Sequence, residues 1–204
     1  YQQPNRGRLA AAAGSNYQRS RNGANEMTPR PTHLFRHEHR VIEQALRALD
    51  GMCFRLQAGD DIPVEALAQA LDFVQNYADR FHHFREEEYL FPALKQCGLE
   101  EGGALHFLCD EHELERELLA ELEFAIEEYR YGDSDAVRRF VEIMDRFRKH
   151  LIGHMQKEDT LLFRMAEDLL DDDAKNALMR NLAVEGVSRK YERLAADLEK
   201  AWAI

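Results

Sequence analysis

Histidine and glutamate recur in this chain at a spacing that suits metal binding. His83 and Glu87 are four residues apart, as are His154 and Glu158, and each pair interrupts a helical stripe of apolar residues. Residues four apart lie on one face of a helix, so each pair presents an imidazole and a carboxylate together. A buried carboxylate needs a partner or a metal ion, because desolvating it unpaired costs several kcal/mol. Both pairs are therefore candidate metal ligands.

A Glu-His dipeptide near the start of a helix precedes each pair. His39 comes 44 residues before His83, and His112 comes 42 residues before His154. The chain is thus a twofold repeat of one helical hairpin, in which each half offers a histidine and then a His-x-x-x-Glu pair. At about 1.5 Å per residue along the helices, all four sites reach one cross-section of an antiparallel bundle.

Four imidazoles and two carboxylates are the donors that two metal ions need. If Glu87 and Glu158 each bridge, every ion receives two nitrogens and two oxygens, which leaves positions for an oxo or hydroxo bridge and an outside ligand. This mixture suits iron or manganese, whereas structural zinc prefers a closed tetrahedron rich in thiolate. No histidine follows a glutamate by three residues, which excludes the Glu-x-x-His plan of ferritin-like proteins. The predicted ligands are His39, His83, Glu87, His112, His154 and Glu158.

Neighbouring polar residues leave alternatives open at this site. His82 directly precedes His83 and points to another side of the helix, so it is assigned to the rim, and exchange of the two is the main alternative. His150 lies one turn from His154 and is a candidate supporting or substituting ligand. The tyrosines are edge residues by default, although one near the metals could donate a hydrogen bond or an electron. The candidates are Tyr77, Tyr89 and Tyr129.

The apolar periodicity after residue 30 is helical. It predicts five helices, over about residues 32–57, 63–97, 105–131, 135–170 and 173–202. Glycines and prolines punctuate the connections, and no segment has the pattern of a strand pair. Short connections between four long helices predict an all-α, up-down-up-down four-helix bundle with an additional C-terminal helix.

The chain divides into three parts on this pattern. Residues 1–30 hold five arginines and one glutamate without apolar periodicity, so we expect them to be disordered, with Met27 as the natural start. Residues 31–170 form the bundle. Residues 171–204 form the C-terminal helix, packed on the bundle or at a dimer interface.

The charge balance excludes several functions. Lysine and arginine number 27 and aspartate and glutamate 38, for a net charge of −11, which disfavours electrostatic binding of nucleic acid. No apolar run approaches the roughly 20 residues of a membrane-spanning helix. Three separated cysteines fit neither a disulfide framework nor a zinc ribbon. We therefore expect a soluble, cytoplasmic protein with reduced thiols.

With these six residues the sequence resembles the haemerythrin-like, or HHE cation-binding, family. The likeness covers about residues 33–170: His39, the run from His83 to Glu87 followed by Tyr-Leu-Phe-Pro, then His112 and the run from His154 to Glu158. It implies a four-helix bundle around a non-haem di-iron site that holds two iron ions, oxo- or hydroxo-bridged, through those residues.

Departures from the family pattern bear on function. Leu108 stands where oxygen-carrying members have a fifth histidine, four residues before His112, and the second carboxylate is Glu158 at spacing four, with Asp159 at spacing five. The sequence is thus more similar to the branch with four histidines and two bridging glutamates. This likeness implies binding of O2, NO or peroxide in sensing, storage or iron homeostasis, and it does not favour reversible oxygen carriage.

Two other functional classes remain as alternatives. One is a di-iron enzyme of oxidative or nitrosative defence that decomposes peroxide, reduces nitric oxide or repairs iron centres. The other is an interaction module in which the acidic body and the last helix bind a protein partner while the metal only stabilises the fold. In each case we expect a monomer or a homodimer.

Overall fold

The structure is a computed structural model that describes residues 30–99, 102–183 and 185–204. The described residues form helices and no strand, which confirms the predicted all-α bundle. The predicted disorder of segment 1–30 and the proposed start at Met27 lie outside the described residues, apart from Arg30, and stay predictions. No helix in the described ranges is long and apolar enough to cross a membrane.

Six helices make up the described part of the chain. They are α1 (Pro31–Gln57), α2 (residues 64–96), α3 (Ala104–Arg130), α4 (residues 136–169), α5 (Asp172–Leu182) and α6 (Glu185–Trp202). Helices α1 to α4 form the bundle, in which each contacts the next and α4 returns to α1.

The C-terminal region contains two helices where the sequence predicted one. The carboxylate of Asp171 caps the start of α5 by accepting a hydrogen bond from the backbone N–H of Ala174 at 2.8 Å. Ala183 leaves the helical conformation, with φ −74° and ψ 75°, and α5 ends there. Helix α6 then packs along α1.

A glycine permits the close approach of α6 to α1. A Cβ atom at Gly51 would lie 1.9 Å from the carbonyl oxygen of Trp202, so a larger residue would push the end of α6 away. Tyr191, Ala195 and Leu198 on α6 are buried in the main apolar cluster as a result.

Helices α2 and α4 contain π-helical segments, which determine the residues that face the interior. The π segments are Val74–His83, Glu86–Leu90 and Glu158–Leu162. In an α-helix, residues four apart are rotated by about 40° from one another around the helix axis. A π-helical turn contains more residues than an α-helical turn and reduces that rotation. A ladder of steps of four therefore stays buried along α2. Its members are Val74, Ala78, His82, Glu86, Leu90 and Leu94.

The same ladder occurs in α4, and buried polar residues fall between two apolar clusters. The α4 ladder consists of His154, Glu158, Leu162, Ala166 and Leu170. On α1, Phe35 belongs to one cluster and Ile42 to the other, with His39 between them. The other three bundle helices also carry polar residues between the two clusters, in the reverse chain order on α2 and α4, so the fold places one polar layer between two apolar cores.

Candidate metal centre

Two groups of four buried donors meet in the polar layer and share two carboxylates. Within each group, one ligand atom per residue lies within 4.8 Å of all the others. The first group is His39, His82, Glu86 and Glu158, and the second is Glu86, His112, His154 and Glu158. None of these residues is more than 2% exposed. Since Glu86 and Glu158 belong to both groups, ions in the two positions would be bridged by two carboxylates.

The structure brings four of the six predicted ligands into these groups. They are His39, His112, His154 and Glu158. On α2 the groups contain His82 and Glu86, while Glu87 lies outside them and His83 lies beside them, in a third group with His112 and His154. The physical reason is the π-helical ladder of α2, which turns His82 and Glu86 to the bundle axis.

A signal in the sequence fixes this register. His82 is followed three residues later by Arg85, then Glu86 and Glu87, and His154 is followed in the same way by Lys157, then Glu158 and Asp159. If the alignment of the two halves began at His83 instead, the acidic Glu86 would be aligned with the basic Lys157. The basic residue, which the sequence interpretation left unused, therefore selects His82.

Outer carboxylates orient the four imidazoles of the two groups. The Nε2 atoms of His39 and His82 are 3.1 Å apart, and those of His112 and His154 are 3.0 Å apart. Each Nδ1 faces a carboxylate from another helix. The pairs are His82 with Glu38 at 2.9 Å, His112 with Glu87 at 2.6 Å, His154 with Glu111 at 3.0 Å and His39 with Asp159 at 3.3 Å. In the first three pairs the carboxylate accepts a hydrogen bond from the Nδ1–H group, which leaves Nε2 its lone pair for a metal.

Each outer carboxylate is in turn paired with a cation. The pairs are Glu38 with Arg85, Glu87 with Arg116 at 2.8 Å, Glu111 with Lys157 and Asp159 with Arg36 at 3.4 Å. Each outer carboxylate thus has a cation beside it near the core, where an unpaired charge is costly. The twofold repeat thus extends from the imidazoles to their carboxylates and, at Arg85 and Lys157, to the cations.

The two shared carboxylates fit a metal ion. All four oxygens of Glu86 and Glu158 are buried and have no hydrogen-bond partner among the described residues. Burial, together with the neighbouring Glu158, raises the pKa of Glu86 well above its usual range. Although burial opposes it, the Nε2 atoms of His154 and His39, each 3.2 Å away, hold the pKa of Glu158 well below its usual range. Unpartnered carboxylates beside inward imidazoles are the donors that a bridged pair of cations requires.

The other polar candidates lie outside the two groups of four. The Nε2 of His150 lies 3.6 Å from Glu115, one turn away from the shared carboxylates. The ring of Tyr77 packs between Phe73 and Phe81 in the main apolar cluster. The hydroxyl of Tyr129 donates to Asp61 at 2.9 Å, in the connection between α1 and α2. Tyr89 packs against the apolar cluster that contains Phe35, and its ring centroid lies 6.1 Å from that of Phe84.

Comparison with known proteins gives a family match. A family model described as "Hemerythrin HHE cation binding domain" matches residues 30–166. An uncharacterized protein of Mycobacterium tuberculosis and one of Mycobacterium bovis are each 27% identical over 140 residues, which cover 69% of this chain. The match covers 54% of each relative, so it spans about half of their length. No solved structure matches the chain significantly.

Proposed function

The chain belongs to the haemerythrin HHE cation-binding family, and on this premise we propose that it is a non-haem di-iron protein. The proposed ligands are His39, His82, Glu86, His112, His154 and Glu158. Glu86 and Glu158 bridge, and each iron receives two imidazoles and two carboxylates. This set takes His82 and Glu86 in place of the predicted His83 and Glu87.

One observation carries the proposal. Two compact groups of donors share Glu86 and Glu158, and neither carboxylate has a hydrogen-bond partner among the described residues. A single ion would leave one imidazole pair without a metal, so two ions account for the arrangement better. Mixed nitrogen and oxygen donors without thiolate favour iron over structural zinc.

The surroundings favour small ligands. Iron supplies a redox-active centre with coordination positions beyond those that the protein fills. The donors are at most 2% exposed, and the rings of Phe163 and Phe91 lie against His39 and His112, with centroids 5.4 Å and 6.1 Å apart. We propose that the ligands are dioxygen, nitric oxide or peroxide, in a sensing, storage or iron-homeostasis role.

Metal analysis of protein purified without a histidine tag tests the proposal. We expect about two iron ions per chain, followed by stoichiometric spectral changes when anaerobically reconstituted protein is titrated with oxygen, nitric oxide and peroxide. An iron content far below this value after reconstitution would contradict the di-iron site. Turnover of peroxide or nitric oxide in proportion to iron content would identify a defence enzyme instead of a sensor or store.

Iron binding is expected to release protons. Although burial lowers the pKa of His39, Asp159 and Glu158 raise it to about 9. Burial also lowers the pKa of His154, but Glu158 and Glu111 raise it to about 10. Both imidazoles are therefore cationic near neutral pH in the metal-free protein, and each must lose a proton before it can bind a metal.

Calorimetry measures this release. Near neutral pH we expect a net release of protons as the chain is loaded with iron, and iron affinity to rise as the pH is raised toward these pKa values. Titrations in two buffers with different heats of ionisation should therefore give different apparent enthalpies. Equal enthalpies in both buffers would show that the imidazoles are already neutral.

A further inference from the structure

A cavity of about 390 Å³ lies between α1, α2, α5 and α6, and none of the proposed metal ligands lines it. Its floor is buried, because Phe81, Arg85 and Leu182 are each at most 8% exposed, whereas Arg189 at its rim is exposed. Small-molecule sites are typically concave, roughly 300–1,000 Å³ in volume, and mostly apolar with a few polar groups. This cavity has such a volume and such a lining. Its apolar residues are Leu34, Phe81, Met179, Leu182 and Ala183.

Arg85 contributes a buried hydrogen-bond donor that the fold leaves unpaired. Its guanidinium carbon lies 4.6 Å from the ring centroid of Phe81 and 5.7 Å from that of Phe35. Its Nη1 donates to Glu38, and its Nη2 donates to the carbonyl oxygen of Leu182 at 2.8 Å. The Nε atom is buried and has no hydrogen-bond partner among the described residues. Since buried donors are normally paired, an acceptor is missing beside Arg85.

The acidic residue in the lining of the cavity already has other partners. The carboxylate of Glu192 accepts a hydrogen bond from the hydroxyl of Ser188 at 2.5 Å and lies 3.3 Å from the Nε2 of His37. Arg189 adds a second guanidinium to the lining. A carboxylate matches a guanidinium in both geometry and charge. The polar part of the cavity therefore favours an anionic acceptor.

We propose that this cavity binds a small carboxylic acid with an apolar body, such as a medium-chain fatty acid. The carboxylate accepts a hydrogen bond from the Nε of Arg85 and lies within the field of Arg189. The apolar body packs against Leu34, Met179 and Leu182, which all line the cavity.

Arg85 couples this cavity to the polar layer. It donates to Glu38, and Glu38 lies 2.9 Å from the Nδ1 of His82, a proposed iron ligand. A carboxylate at Nε fixes the guanidinium in the position that pairs with Glu38, and so fixes the imidazole. This coupling rests on the proposed di-iron function. The bound acid should raise the affinity for iron, and iron should raise the affinity for the acid by the same factor.

Calorimetric titration of the full chain, as purified, with octanoate tests the site. We expect one octanoate to bind per chain, at least about tenfold more tightly than octan-1-ol, which lacks the charge, or acetate, which lacks the apolar body. Met179→Trp places a larger side chain in the cavity and should weaken octanoate binding at least about tenfold. Asn176→Trp is the matched control, because Asn176 is exposed on the same helix and does not line the cavity.

A second variant covers the case in which Met179→Trp does not fold. Arg189→Gln removes an exposed cation, so it should weaken octanoate about threefold and leave octan-1-ol unchanged. Octan-1-ol that binds as tightly as octanoate would overturn the inference. So would an octanoate affinity that is the same in the wild type, Met179→Trp and Arg189→Gln.

Competition with a chelator measures the coupling. We expect the affinity for iron to rise about threefold in saturating octanoate. Equal iron affinities with and without octanoate would overturn the coupling and leave the site. Two irons per chain without any octanoate binding would overturn this inference alone. Octanoate binding by a chain that never holds two irons would overturn the proposed function and leave the site.

Discussion

Glu86→Gln is expected to leave the protein unable to hold two iron ions, whereas Glu87→Gln keeps both and binds them about 10 to 100 times more weakly. Glu86 belongs to both donor groups, so its loss removes a donor from each ion. Glu87 instead holds the Nδ1 of His112 at 2.6 Å and only orients that ring. We therefore expect the two adjacent glutamates to have different roles, Glu86 as a metal ligand and Glu87 as the acceptor that orients a ligand.

The measurement is iron per chain after gel filtration, with affinity from competition by a chelator. Glu88→Gln is the matched control, because Glu88 is exposed in the same helical segment and should bind iron like the wild type. Two retained irons in Glu86→Gln would contradict the bridging role. A complete loss in Glu87→Gln would instead assign the bridge to the residue that the sequence predicted.

Glu86→Gln is also expected to stabilise the metal-free protein. The Glu86 side chain is fully buried without a hydrogen-bond partner among the described residues, and Glu158 lies in the same donor groups. Replacing this carboxyl by an amide removes a repulsion and adds a donor, which we expect to raise the free energy of unfolding by about 1–3 kcal/mol. Denaturant unfolding of the metal-free proteins measures the difference, and a less stable variant would contradict it. A metal-binding side chain that destabilises the metal-free fold indicates selection for metal binding.

The sequence predicted residues that the structure groups together where a helix offered few candidates. His39 and His112 stand on apolar stripes without a second histidine of equal phase, His154 has only His150 one turn away, and the structure brings all three predicted histidines into the donor groups. On α2 the residue types do not show which histidine and which glutamate face the site, because two adjacent histidines are followed by three adjacent glutamates. The choice between them depends on which side of the helix each residue faces. A π-helical segment changes that side from the one expected at 3.6 residues per turn.

The outer ion pairs were hidden for a different reason. Glu38 and His82 are 44 residues apart, and no local pattern indicates that they touch. Arg85 and Lys157 occupy equivalent positions in the two halves of the chain. This equivalence is visible only when the halves are aligned from His82 and His154. The break between α5 and α6 is not predicted because residues 173–202 contain no proline to mark the bend at Ala183.

Arg85→Met is expected to lower the free energy of unfolding by about 3–5 kcal/mol, because it leaves a buried carboxylate without its cation. The Arg85 side chain is 5% exposed, and its guanidinium donates to Glu38 and lies 4.6 Å from the ring centroid of Phe81. It also donates to the carbonyl oxygen of Leu182 at 2.8 Å, which ties the end of α5 to the polar layer.

Lys157→Met is the matched control from the other half of the repeat. Lys157 pairs with Glu111 as Arg85 pairs with Glu38, but the side chains of this pair are 41% and 8% exposed, against 5% and 1% for Arg85 and Glu38, so water reaches it more readily. We expect this variant to lose clearly less than Arg85→Met in the same denaturant experiment. Combining Arg85→Met with Glu38→Gln should recover part of the loss, since no buried charge is then left alone. Equal losses in the two single variants would show that burial does not set the cost. Because Glu38 also orients His82, the Arg85 variant should in addition weaken iron binding at the donor group that contains His39 and His82.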